Sequence, residues 1–144
     1  MPLYADTSFL VAAYSPEVDS PKAVACFQRL RDPLPFTPFH RHELRAGIRL
    51  RVFRREITVE QRKAAFRIID SDLEDNVLVH TTISWTDAFR ESERLAAAHT
   101  EVLGVRSFDL LHVGTALAFG ATEFLTFDAR QAALAKAAGL KVKP

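Results

Sequence analysis

The chain has 144 residues, 48% hydrophobic and 26% charged, which suffices for one packed core and excludes intrinsic disorder. No apolar run approaches the ~20 residues that span a bilayer, the first residues lack the basic and apolar regions of a signal peptide, and the single Cys26 excludes an internal disulfide or a cysteine zinc site. A cytoplasmic, single-domain protein over residues 1–144 with no membrane partner is expected. The formal net charge is only +1, yet residues 38–67 carry nine Arg and Lys against three acids, a local +6 that leaves −5 elsewhere. Such a segment suggests a polyanion contact.

In chain order, Leu3–Ala5 is a short apolar run, read as a strand broken by Asp6. Ser20-Pro21 opens a helix, with Ser20 as N-cap and proline at the first helical position. Leu34–Phe36 is a second strand candidate weakened by its prolines. Thr37-Pro38 repeats the cap-and-proline signal and starts a basic helix over 38–55. Thr58 and Gln61 have capping-box spacing, and the helix after them buries Ala65, Phe66, Ile69 and Leu73. Val77–Val79 reads as a strand. Ser84 opens a further helix, and Ser107 caps another that runs to Phe119. Glu123–Phe127 reads as a strand. Asp128 caps the last helix, paired with Gln131 and ending at Gly139, and Leu140–Val142 forms a last strand. Five strands separated by helices predict a parallel sheet with helices on both faces. The functional crevice of such a sheet lies at the carboxyl ends of its strands.

Four carboxylates stand out in that frame. Asp6 and Asp128 each follow a strand directly, where an aspartate also serves as a helix N-cap. Glu43 shares its helical angle with Phe39, Ala46, Gly47, Leu50 and Phe53, an apolar face on which a carboxylate is costly unless paired or bound to a metal. A buried ion pair, with Arg54 or with an arginine elsewhere, is the competing explanation. Asp109 faces His112, Val113, Ala116 and Leu117, again an inward-looking side, in a first turn where the helix dipole favours an acid. Carboxylates crowded into one crevice repel unless a cation neutralises them. Oxygen-only sites suit Mg²⁺ or Mn²⁺, and such cations support in-line displacement at phosphorus. Thr7 and Ser8 offer hydroxyls that orient the Asp6 carboxylate or cap a helix. Cys26 reads as core filling, and His112 as a satisfied, partly buried histidine, with contact to substrate or orientation of the Asp109 carboxylate as the alternative.

Asp6-Thr7-Ser8-Phe9-Leu10, the isolated Glu43, the run Arg106 to His112 and the run Phe124-Leu125-Thr126-Phe127-Asp128 together resemble the PIN-domain nucleases. The small size and the closing Ala138 to Val142 resemble the VapC-type toxins of that family, and the likeness covers essentially the whole chain. The resemblance implies a three-layer α/β/α sandwich with a five-stranded parallel sheet. It implies Mg²⁺- or Mn²⁺-dependent endoribonuclease activity, with Asp6, Glu43, Asp109 and Asp128 as catalytic and metal-binding acids. It also implies a homodimer and an antitoxin partner. Arg51, Arg54 and Arg55 are expected to form a positive rim that offsets the acidic pocket and draws RNA across it. Arg41, Arg45 and Arg49 recur every four residues as a stripe on the same helix.

Two other classes fit acids at strand ends less well, and a third stays open. A haloacid-dehalogenase-type phosphatase needs a second aspartate that Asp6-Thr7-Ser8 lacks. A receiver domain needs a lysine after its last strands, whereas Lys141 and Lys143 lie in or beyond the final strand. A non-catalytic RNA- or protein-binding module with the same fold differs by binding RNA without cleaving it.

Overall fold

Among the described residues, five three-residue strands alternate with helices, and each of their pairings is parallel. The elements run β1 (Leu3–Ala5), α1 (Thr7–Tyr14), α2 (Ser20–Arg29), β2 (Leu34–Phe36), α3 (Pro38–Phe53), α4 (Val59–Glu74), β3 (Leu78–His80) and α5 (Trp85–Leu95). A π turn (Ala96–Thr100) and the short α6 (Glu101–Leu103) follow, then α7 (Ser107–Phe119), β4 (Glu123–Leu125), α8 (Ala129–Ala137) and β5 (Lys141–Lys143). The computed structural model describes residues 2–144, which divide into two compact units. One comprises the segment up to Asp6 with Thr82–Lys143, the other Thr7–Thr81 with Pro144.

The parallel pairing matches expectation, but the single five-stranded sheet does not form. Among the described residues the strands make a three-stranded sheet, β1-β4-β5, in the first unit and a two-stranded sheet, β2-β3, in the second. Pro35 supplies a physical reason. Leu34 N–H donates to Val77 O, and Phe36 O accepts from Thr81 N–H, so residues 34 and 36 face β3. The central residue therefore faces the other edge, and as proline it has no N–H to offer a third strand.

In the first unit, β1 and β4 are buried along their whole length. Their central side chains, Tyr4 and Phe124, enter a core with Leu95, Val113, Ala116, Leu134 and Ala135. Tyr4 stacks on Phe124 with ring centroids 5.5 Å apart. The β1-β4 ladder is extended by Asp6 N–H to Leu125 O at 3.0 Å, and the β4-β5 ladder by Thr126 N–H to Lys143 O at 2.9 Å. α5 and α7 approach closely at Gly114, where a Cβ would lie 2.3 Å from Ser92 Oγ and 2.7 Å from Ala88 O. Ser92 Oγ donates at that crossing to Ala88 O and Leu110 O. α7 ends on Gly120 at φ +85°, a left-handed position that glycine takes without a Cβ penalty.

In the second unit the expected capping box at Thr58 forms, and a second forms at Thr37. Thr37 Oγ1 accepts from His40 N–H, and Thr58 Oγ1 from Gln61 N–H, while the side chains of His40 and Gln61 bond back to the Thr37 and Thr58 N–H groups. α1 has no counterpart in the sequence reading. Phe9, Leu10, Ala12 and Tyr14 are all buried, and a helix buried nearly all round shows no amphipathic period. Tyr14 Oη donates to Asp72 Oδ2 at 2.5 Å and ties α1 to α4.

Several boundaries move. Asp19, not Ser20, occupies the N-cap of α2. Ser20 Oγ instead donates to Ser15 O and accepts from Glu17 N–H, closing the preceding turn. Arg106, not Ser107, is the N-cap of α7. β3 and β5 each begin one residue later than expected, and β4 stops at Leu125.

Candidate active site

Asp6 ends β1 and is 1% exposed. Its Oδ2 accepts a 2.5 Å hydrogen bond from Thr126 Oγ1. That same hydroxyl oxygen accepts from Asp128 N–H at 3.0 Å. Asp128 in turn caps α8, its Oδ1 taking Gln131 N–H at 2.9 Å. The expected reciprocal bond from the Gln131 side chain is absent among the described residues, and its Oε1 is buried without a partner. Thr126 is thus the link that fixes the two strand-end acids to one another. The sequence shows it only as a hydroxyl two residues before a capping aspartate, and the reading assigned it no role.

Asp109 lies in the first turn of α7, where its Oδ2 accepts from Arg106 N–H at 3.4 Å. It lines one open pocket with Asp128, Arg106, Ala129 and Arg130. Burial pushes the Asp109 carboxyl above the usual carboxylate range. The Arg106 hydrogen bond opposes that shift, the Asp128 charge adds to it, and the charges of His112 and Arg106 also oppose it. Two carboxylates of like charge beside two exposed arginines make a pocket that suits both a cation and the phosphate it would meet. Arg106 and Arg130 are further site residues that sequence reasoning did not single out. His112 is satisfied as expected but more deeply buried than the partial burial predicted, with a ring nitrogen 2.8 Å from Tyr4 Oη.

The remaining expected residues lie in the second unit, which begins at Thr7. Thr7 Oγ1 donates to Glu43 Oε1 at 2.6 Å, so the hydroxyl next to Asp6 in the chain holds Glu43. Ser8 is half-buried in the first turn of α1. The face assigned to Glu43 needs correction. The buried stripe of α3 is His40, Leu44 and Ile48, whereas Leu50 and Phe53 are exposed, Phe53 to 82%. Glu43 is half-buried at the flank of that stripe. Cys26 is likewise half-buried.

The three rim arginines differ. Arg51 turns inward: Nε donates to Glu56 at 3.0 Å, Nη1 to Ser15 Oγ at 2.7 Å and Nη2 to Pro16 O at 2.6 Å. Its guanidinium braces the end of α3 rather than facing a ligand. Arg54 and Arg55 are exposed. Arg55 holds φ +60°, a left-handed turn usually given to glycine or asparagine.

Among the described residues, no three His, Cys, Asp or Glu side chains stand close enough to form a closed metal cage. The donor chemistry of the pocket still fits a hard cation. Mg²⁺ usually keeps several waters and is held by one or two carboxylates plus substrate phosphates, and Asp109 and Asp128 offer two.

The raised Asp109 pKa carries a stability prediction for metal-free protein. A carboxyl whose folded pKa exceeds its ordinary value of 3.8 is stabilising while protonated, and folding stability falls as pH rises through the raised value. Asp109→Asn should therefore melt higher than the parent at pH 7, with the gain shrinking as pH falls through the raised value and gone below 3.8. Thermal melts in chelator across that window check it. A pH-independent difference, or a lower midpoint at pH 7, would contradict the assignment.

The PIN domain family matches residues 3–137. A comparison with curated proteins yields no match. Solved structures similar to this chain include VapBC2 from Rickettsia felis bound to a fragment of promoter DNA, at TM-score 0.64 and 17% identity, covering 99% of this chain and 98% of that one. PAE2754 from Pyrobaculum aerophilum matches at TM-score 0.62 and 17% identity, covering 99% and 89%. FitAcB from Neisseria gonorrhoeae matches at TM-score 0.62 and 14% identity, covering 99% and 96%. At these identities the likeness is one of fold, but the family match spans nearly the whole chain, from β1 through α8, and takes in Asp6, Glu43, Asp109 and Asp128. The chain belongs to the PIN domain family of nucleases.

Proposed function

We propose that residues 1–144 form a single nuclease domain, a Mg²⁺- or Mn²⁺-dependent endoribonuclease that acts as the toxin of a toxin–antitoxin pair. The observation that carries this reading is the pocket shared by Asp109 and Asp128, with Asp6 tied to Asp128 through Thr126. Family membership supports nuclease chemistry, and the fold likeness to VapBC2 and FitAcB supports the toxin role. Asp6, Asp109 and Asp128 would hold the cation, with Glu43 as the fourth acid, proposed from its place in the sequence and its bond to Thr7. A divalent cation bound there lowers the pKa of a water and stabilises charge at phosphorus.

The chain's own residues do the rest. Thr126 fixes the rotamer of Asp6, and the α8 N-terminus holds Asp128. Arg106 and Arg130 neutralise a phosphate brought to the pocket. Arg54 and Arg55 on the second unit are proposed as RNA contacts, and Arg51 stiffens the turn that carries them.

Incubating single-stranded RNA with the purified protein tests the reading. Cleavage that requires Mg²⁺ or Mn²⁺ and stops in chelator supports it. RNA binding without cleavage under those conditions supports a non-catalytic module instead. The exposed Phe53, Phe89 and Phe108 are proposed to be covered by a second copy of the chain and by an antitoxin helix. A strictly monomeric mass by light scattering at micromolar concentration would refute the homodimer. No described helix is long and apolar enough to cross a membrane, and a cytoplasmic location is proposed with the toxin role.

A further inference from the structure

In the second unit, the guanidinium carbons of Arg45, Arg49 and Arg62 lie 4.1, 5.1 and 5.6 Å from the centroid of one ring, the buried Phe66. The ring faces attract cations, but three like charges around one ring also repel each other. Little in the chain neutralises them. Asp70 stands 4.0 Å from Arg45 Nη1, and that nitrogen is buried without a hydrogen-bond partner among the described residues. Arg41, Arg49 and Arg62 make no ion pair among the described residues. Arg41, His42, Arg45 and Arg49 line a single open pocket on α3, whose other walls are Pro38 and Ala46.

We infer that this arginine groove on α3, with Arg62 of α4 beside Phe66, binds the phosphodiester backbone of single-stranded RNA. It would anchor the strand through residues other than the carboxylates and other than Arg51, Arg54 and Arg55. The inference rests on the ribonuclease reading above. Arg41, Arg45 and Arg49 follow one another at about 6 Å along the helix axis, which presents a row of planar forks to a chain of regularly spaced anions. Guanidinium groups match phosphate oxygens two at a time. Pro38 and Ala46 form small walls between the arginines, and the regular spacing of the guanidinium groups suits a backbone of repeated phosphates better than a protein segment with irregularly placed acids. The groove therefore reads charge and not base identity.

The test measures binding of a 2′-O-methyl oligoribonucleotide, which is not cleaved, in chelator by fluorescence anisotropy over a salt series. The variants are Arg49→Gln and Arg41→Gln/Arg49→Gln, with Arg90→Gln/Arg94→Gln on α5 as control and thermal melts to confirm folding. The salt slope should become shallower by about 0.7 for the single variant and about 1.4 for the double, with a roughly tenfold loss of affinity for the double at low salt. The control should match the parent. Unchanged affinity and slope in the double variant would overturn the inference. So would a double variant that loses poly-glutamate binding while keeping RNA binding, since the groove would then serve an acidic protein segment. Cleavage plays no part in this readout, so the two readings fail separately. Arginine-dependent binding by a protein that never cleaves removes the nuclease reading alone. Metal-dependent cleavage with an unaltered salt slope removes the arginine groove alone.

Discussion

Asp6→Asn is expected to lower metal-dependent RNA cleavage by roughly 100-fold or more, because losing even an outer partner of a metal ligand costs about 10–100-fold. The substitution is nearly isosteric. The asparagine carbonyl can still accept from Thr126 Oγ1, which now donates to Asp6 Oδ2, so β1, its ladder to β4 and the cap of α8 should survive. What disappears is the negative charge at a position that is 1% exposed, and with it the attraction for a cation. Glu43→Gln and Asp109→Asn should fall in the same range, and Asp128→Asn should be milder because asparagine remains a good N-cap. The measurement is single-turnover cleavage of a labelled RNA by protein free of contaminating nuclease, with circular dichroism to show that each variant is folded. Undiminished cleavage by Asp6→Asn would remove Asp6 from the site and with it the role given to Thr126.

Gly114→Ala should destabilise the first unit by about 1–3 kcal/mol, the usual cost of adding a methyl group to a full core. A Cβ there would sit 2.3 Å from Ser92 Oγ, 2.7 Å from Ala88 O and 2.9 Å from Ser92 N. Two of those three atoms are backbone and cannot rotate away, so α5 and α7 must separate. Separation also stretches the Ser92 Oγ bond to Leu110 O, now 3.1 Å, one residue beyond Asp109. The variant should therefore lose activity along with stability. Chemical denaturation reports the first and the cleavage assay the second. Gly47→Ala is the control, since its Cβ would meet only Val11 Cγ2 at an ordinary 3.6 Å. Equal stability of Gly114→Ala and the parent would show that the two helices are not held as closely as described.

The features legible in the sequence are those whose causes lie within about four residues. Thr37 with His40, Thr58 with Gln61 and Asp128 with Gln131 are caps formed by near neighbours, and each starts its helix where the residues predicted. β1 and β2 fall where short apolar runs stand beside turn-forming residues. The four carboxylates stand out for a related reason, because an acid at a strand end or on an apolar stripe conflicts with its local surroundings and implies a function.

Tertiary structure alone decided the rest. The hydroxyl that positions Asp6 comes from Thr126, 120 residues away, and no local pattern encodes a partner at that separation. α1 escaped notice because burial on nearly every side erases the amphipathic period that marks a surface helix. The buried face of α3 runs through His40, Leu44 and Ile48, not through Glu43 and Phe53, because the packing of α1, β2 and α4 against it chose among several apolar-bearing faces. Arg51 and Arg45 look alike as basic residues on one helix. One is consumed by Glu56, Ser15 and Pro16, and the other is drawn onto Phe66. The sequence of this protein determines where α3, α4, α5 and α8 begin and which acids are out of place. The division into two sheets, the tether on Asp6 and the fate of each arginine depend on contacts between distant segments, and those exist only once the chain has folded.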